Sequence, residues 1–139
     1  MVKLDVALRK LTRATDWLDR AENLLARPAE AFLADKQAQD LASFYLLLSI
    51  QECIDLALHW VVDEGWEAPE DSSSAFLVLA DRRAIDRDLA EQMRGAVGLR
   101  NLIAHGYSLI DHSRMHREYE QGVASLRRFL HAVADKAGL

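Results

Sequence analysis

From Asp35 to Asp63 the chain runs without a Pro or a Gly, and its apolar residues do not keep to one side. Leu41, Phe44, Tyr45, Leu46, Leu47, Leu48, Ile50, Ile54, Leu56, Leu58, Trp60 and Val61 spread over more than one face of a helix. A helix apolar nearly all round needs cover on most of its surface. It is either the central element of a bundle or an element shared with a second subunit. Gly65 is a natural stop for it. No segment of useful length alternates apolar and polar residues, and no internal repeat is present. The chain therefore reads as all-α.

The remaining segments supply the cover. From about Val2 to Arg27, Leu4, Leu8, Leu11, Thr15, Leu18, Glu22 and Leu25 recur every three or four residues. That spacing predicts a long helix, with Asp5–Arg9 and Asp16–Arg20 as pairs on its solvent side. Arg27-Pro28 ends it, because the residue before Pro avoids the helical region. Pro28 then opens a short helical turn through Leu33. Trp66 to Ser74 is a loop whose Ser run offers an N-cap for a short helix, Ala75 to Ala80. Asp86 caps a helix from about Arg87 to Ala104, which Gly106 stops. Asp111 caps a last helix to about Lys136, striped by Met115, Tyr119, Gly122, Leu126, Phe129 and Val133. Four main helices and short extra turns make a bundle, read as a single domain over 1–139.

Composition excludes several classes. A chain of 139 residues can bury a core without staples. The single Cys53 rules out a disulfide scaffold, and its apolar neighbours predict a buried thiol. No uninterrupted apolar run reaches the ~18 residues of a membrane span. The charged opening MVKLDVALRKL does not read as a signal peptide, so the expected address is the cytoplasm. A net charge of −5 argues against a general nucleic-acid coat. It leaves room for a small pocket that grips one or two phosphates.

Such a pocket is suggested by Gly98 to Asp111, GLRNLIAHGYSLID. Arg100 and His105 stand in an R-x4-H spacing, with Asn101 beside the Arg and Tyr107 just beyond the His. Five helical positions leave Arg100 and His105 about 140° apart, so they do not share a face of a straight helix. Either the helix ends at Gly106 and frees the imidazole to turn, or a two-fold axis brings Arg100 of one subunit to His105 of another. The chemistry suits phosphodiester cleavage. Arg forks two donors onto a phosphate, and His moves protons near neutrality. RNA brings its own 2′-OH nucleophile, so neither metal nor cofactor is required. Asn101 can orient the His or donate to phosphate; Tyr107 can do the same or stack on a base. The plain alternative is that Arg100 and His105 only complement a helix C-terminus.

These residues carry a resemblance. RNxxAHGY resembles the R-x4–6-H-x-Y motif of HEPN domains, in the HepT branch. The similarity extends to FLADKQAQDLASF (Phe32 to Phe44), IQECIDLALHWV (Ile50 to Val61) and FLVL (Phe76 to Leu79), in the same order. It implies a four- to five-helix up-and-down bundle that forms a homodimer, with the two motifs facing each other. It implies a metal-independent endoribonuclease toxin, with Arg100 and His105 as the catalytic pair; Asn101 and Tyr107 stay supporting residues on their chemistry alone. The partner it implies is an MntA-like nucleotidyltransferase antitoxin that transfers AMP to Tyr107. AMP on Tyr107 would put negative charge and a bulky base where RNA phosphate must sit. Ser43-Phe44-Tyr45 departs from the more polar, Arg-containing pattern expected of relatives. A second reading makes the bundle a non-enzymatic partner and substrate of the nucleotidyltransferase, and a third makes it an inert dimerisation module.

Other candidates read more simply as structure. Asp55 and His59, four apart, read as a hydrogen-bonded pair. His112 and His116 have a spacing seen in metal sites but no third ligand, and read as a solvated helix face. Trp17, Trp60 and Trp66 read as core or interface anchors.

Overall fold

Four long helices pack in a ring, each antiparallel to its two neighbours. The computed structural model describes residues 4–139; the expected start at Val2 lies outside them. In chain order the elements are α1 (Leu4–Leu25), α2 (Ala29–Ala34), α3 (Lys36–Asp63), α4 (Ser72–Asp81), α5 (Arg87–His105), a 3-10 turn (Tyr107–Leu109) and α6 (His112–Ala137). The described residues contain no strand. Helix α1 packs on α3, α3 on α5, α5 on α6, and α6 back on α1. Side-chain pairs fix the directions. Lys10 meets Asp55 while Ala14 meets Ser49, Gln51 meets Arg100 while Asp40 meets Tyr107, Gln92 meets Ser125 while Asp86 meets Arg128, and Glu22 meets Arg127 while Arg27 meets His116. The result is an up-down-up-down bundle in which α3 and α6 lie on a diagonal.

Aspartates start the helices. Asp35, Asp71, Asp86 and Asp111 each accept the backbone N–H three residues on, at the heads of α3, α4, α5 and α6. Each satisfies an orphan donor and places negative charge at the positive end of the helix dipole. For α4 this corrects the expected Ser cap. Asp71 takes the cap, so Ser72 to Ser74 join the first turn and the helix starts earlier than Ala75.

The inward stripe of α1 is also different from the expected one. Ala7, Leu11, Ala14, Leu18, Ala21 and Leu25 are buried, while Leu4 and Leu8 are exposed. The small residues let α1 and α3 approach closely, and Ser49 Oγ donates directly to the Ala14 carbonyl at 3.0 Å. Helix α6 shifts in the same way, burying Val123 and leaving Gly122 exposed.

Helix α3 is the central element. It buries residues toward α1, α5, α4 and α6, from Ala38 to Val61. By length and composition it could cross a bilayer, but half of its most apolar window is buried inside the bundle. At the α4 end, Phe76 meets Phe129 edge-on at 5.1 Å and Trp60 lies 6.5 Å from Phe129. Full burial of each such Phe contributes roughly 1.5–3 kcal/mol. Cys53 is wholly buried, and burial pushes its thiol pKa up, so it is inert. Trp17 stacks on Tyr45 at 5.8 Å, and Arg82 lies over the Trp66 ring. One face of α3 stays open: Leu41 is 44 % and Phe44 52 % exposed.

Candidate functional site

Helix α5 ends at His105 because Gly106 leaves the helical region, at φ −140° and ψ 40°. Its N–H still bonds the Leu102 carbonyl at 2.8 Å, and a Cβ there would meet Leu102 Cδ1 at 3.1 Å. A 3-10 turn follows and carries Tyr107 sideways toward the N-terminal end of α3. The motif is thereby split between two neighbourhoods.

Arg100 occupies the first. It faces α3, half-buried, and Nη1 donates to Gln51 Oε1 at 2.6 Å. Its Nε donates to Asn101 Oδ1 at 2.9 Å. Gln51 is itself held, since its Nε2 donates to Asp55 Oδ1 at 3.3 Å and Asp55 pairs with Lys10 at 3.5 Å. The guanidinium is fixed on one side, and among the described residues its remaining N–H groups meet no further acceptor. Asn101 thus holds Arg100 rather than His105. His105 is exposed on the last turn of α5, where its charged form complements the helix dipole. Among the described residues no hydrogen bond joins Arg100 to His105, so the end of α5 does not fold the imidazole back onto the Arg.

Tyr107 occupies the second neighbourhood, half-buried. Its hydroxyl donates to Asp40 Oδ1 and lies 3.3 Å from His112 Nε2. Ser43 Oγ is also 3.3 Å from His112 Nε2. Lys36 Nζ sits 5.4 Å from the Tyr107 ring centroid and 3.3 Å from Asp40 Oδ1. The proton affinities are spread apart. Burial, then the bond to Asp40, pushes the Tyr107 pKa above its usual 10.0. The Tyr107 hydroxyl, helped by Lys36, holds Asp40 below 3.8. Burial and the charge of Lys36 hold His112 below 6.5, against the opposing pull of Asp40 and Asp111. At neutral pH the cluster is a neutral phenol on an ionised carboxylate beside a neutral imidazole.

A family model described as "Ribonuclease HepT-like" matches residues 14–133, which span every residue of both neighbourhoods but the peripheral Lys10. The chain belongs to the HepT-like ribonuclease family. An Archaeoglobus fulgidus relative named "Putative RNase" is 33% identical over 93 residues, covering 66% of this chain and 70% of that one. The mRNA nuclease HepT of Shewanella oneidensis is 26% identical over 103 residues, covering 74% and 77%. Among solved structures, the tri-AMPylated Shewanella oneidensis HEPN toxin in complex with MNT antitoxin superposes with a TM-score of 0.87 at 21% identity, covering 94% of this chain and 98% of that one. A toxin–antitoxin complex with AMP-PNP gives 0.85 at 21%, covering 93% and 98%. These likenesses establish the HEPN fold.

Within this HepT-like bundle several expectations are corrected. His112 does not lie on a solvated face; it packs edge-on against Tyr107 with ring centroids 5.6 Å apart. His116 turns the other way, to the Arg27 carbonyl at 2.7 Å and the Phe32 ring. Among the described residues no three His, Cys, Asp or Glu side chains converge as a metal site would. Asp55 pairs with Lys10 and Gln51 and not with His59, which is exposed. Gln51, Asp40 and Lys36 carry no motif of their own in the sequence, and Ser43 stands out there only as part of the Ser43-Phe44-Tyr45 departure. The only local signal was the polar series Lys36, Asp40, Ser43 along one side of an otherwise apolar helix.

Proposed function

We propose that this HepT-like protein is an endoribonuclease toxin that acts as a homodimer. RNA is cut by Arg100 and His105 without a metal, and the enzyme is silenced when an MntA-like nucleotidyltransferase antitoxin transfers AMP to Tyr107. The reading is carried by one observation. Arg100 is braced by Gln51 and Asn101 with donors to spare, while His105 of the same chain stands exposed and apart.

A second copy resolves that separation. Leu41, Phe44, Leu48 and Gln51 follow one another at three- and four-residue steps along the open side of α3. This partly exposed apolar stripe leads directly to the residue that holds Arg100. A two-fold axis through it brings the end of α5 in each chain to its partner and buries Phe44. Arg100 then neutralises charge growing on the scissile phosphate, and His105 relays the proton of the 2′-OH or of the leaving oxygen. The products end in a 2′,3′-cyclic phosphate. The two relatives named as RNase and mRNA nuclease agree with the nuclease, and the solved complex of a HEPN toxin with MNT antitoxin agrees with the antitoxin. A toxin of this kind works in the cytoplasm, where RNA and its antitoxin are found.

The test is RNA cleavage by the wild-type chain in excess EDTA, compared with Arg100→Ala and His105→Ala. Retained cleavage by the wild type and loss in both variants supports the reading; equal activity of all three overturns it. A second reading, in which the bundle is only an AMP acceptor, draws on the dense network around Tyr107 and the lack of one, among the described residues, around His105. It predicts AMP-sized mass gain on Tyr107 with no cleavage by any variant.

A further inference from the structure

The half-buried Tyr107 hydroxyl is already hydrogen-bonded to a carboxylate of its own chain. We propose that Asp40 is the general base for AMP transfer, so that the acceptor protein supplies the group that takes the phenolic proton. This rests on reading Tyr107 as the acceptor.

The step balances as a nucleotidyl transfer. The Tyr107 oxygen attacks the α-phosphorus of a nucleoside triphosphate bound by the transferase. The new O–P bond forms as the bond from that phosphorus to the bridging oxygen of the β-phosphate breaks, and pyrophosphate leaves. The phenolic proton passes to Asp40 Oδ1 along the existing hydrogen bond. No group has to reorganise first. A neutral phenol is a weak nucleophile, and its proton becomes acidic only as the O–P bond grows, which is when a positioned carboxylate contributes.

The neighbours fit the same sequence of events. Lys36 begins as the ion-pair partner of Asp40, over the Tyr107 ring. Once Asp40 carries the proton, that pair loses its attraction, and the Lys36 ammonium is free to meet the new phosphodiester. His112, braced by Ser43, holds the other side of the hydroxyl and fixes where its lone pair points. Asp40 is exposed on the first turns of α3, away from the core, so replacing it does not challenge the fold.

The experiment is single-turnover AMP incorporation from Mg-ATP, catalysed by an MntA-like nucleotidyltransferase that modifies the wild-type chain, followed by intact mass. Asp40→Asn keeps the shape but cannot take the proton. It is expected to slow transfer about 100-fold at saturating acceptor, the scale of a lost general base, with little change in the acceptor KM. Its rate is expected to climb with pH, as hydroxide replaces the missing base. The wild type stays level across the same range: in the cluster of Lys36, Asp40, His112 and Asp111, the base Asp40 is already ionised and His112 already neutral at pH 7. An Asp40→Asn rate within twofold of wild type, or a loss confined to KM, overturns the assignment. If the wild-type chain gains mass but Tyr107→Phe gains it equally, the acceptor reading fails instead, and with it the reason to assign Asp40.

Discussion

Gln51 offers a sharp way to ask whether Arg100 must be held still to work. Its amide oxygen accepts from Arg100 Nη1 at 2.6 Å, and its own nitrogen is anchored on Asp55. Replacing Gln51 with Leu removes the brace and leaves Arg100, Asn101 and His105 in place. A hydrogen bond from a charged donor is worth roughly 1.5–3 kcal/mol when shielded. Both partners here are only half-buried, so the lower end applies. At about 1.4 kcal/mol per factor of ten, the cleavage rate should fall about tenfold. The fall should appear in kcat, since the guanidinium still attracts phosphate but no longer waits in one orientation. Single-turnover cleavage of a labelled RNA measures it, with light scattering to confirm that the oligomer survives. An unchanged kcat, or a tenfold loss traced wholly to RNA affinity, would refute the idea that Arg100 is preorganised by α3.

Two further outcomes follow from the same geometry. Phe44→Glu places a charge in the open apolar stripe of α3, and should turn a dimer into a monomer by light scattering at micromolar concentration while abolishing cleavage; a cleaving monomer would remove the two-fold site from the account. His112 is held below its usual 6.5, chiefly by burial, so the unfolded chain binds the extra proton first as pH falls. Its contribution to stability is therefore present above about pH 6.5 and lost below it, and melting temperatures between pH 7 and 5 should drop less for His112→Gln than for wild type.

The fold was legible because its signals are local. Arg27-Pro28, Gly65 and Gly106 mark helix ends, and Asp86 and Asp111 mark starts, each through the chemistry of a single residue or pair. The register of α1 was less so. Leu4, Leu8, Leu11 and Leu18 make a stripe as regular as Ala7, Leu11, Ala14 and Leu18, and only the close packing against α3 selects the alanine side. The site divides in the same way. Arg100, Asn101, His105 and Tyr107 stand together in the sequence and could be picked out as a group. Asp40 and Gln51 could not, because they meet Tyr107 and Arg100 across 67 and 49 residues of chain, and each looks like a routine polar position on α3. His112 was misjudged because its sequence neighbours, Ser113 and Arg114, are polar, whereas the ring itself points at α3 and the 3-10 turn.

The proposed site is shared, and subunit mixing tests that directly. Arg100→Ala and His105→Ala chains, each inactive alone, are unfolded together and refolded as a mixture. If each cleavage centre takes its Arg from one chain and its His from the other, half of the dimers are mixed and one of their two pairings is intact. Activity then returns to about a quarter of the wild-type level. A mixture as inactive as its two components, with mixed dimers shown by mass spectrometry to be present, would contradict the account.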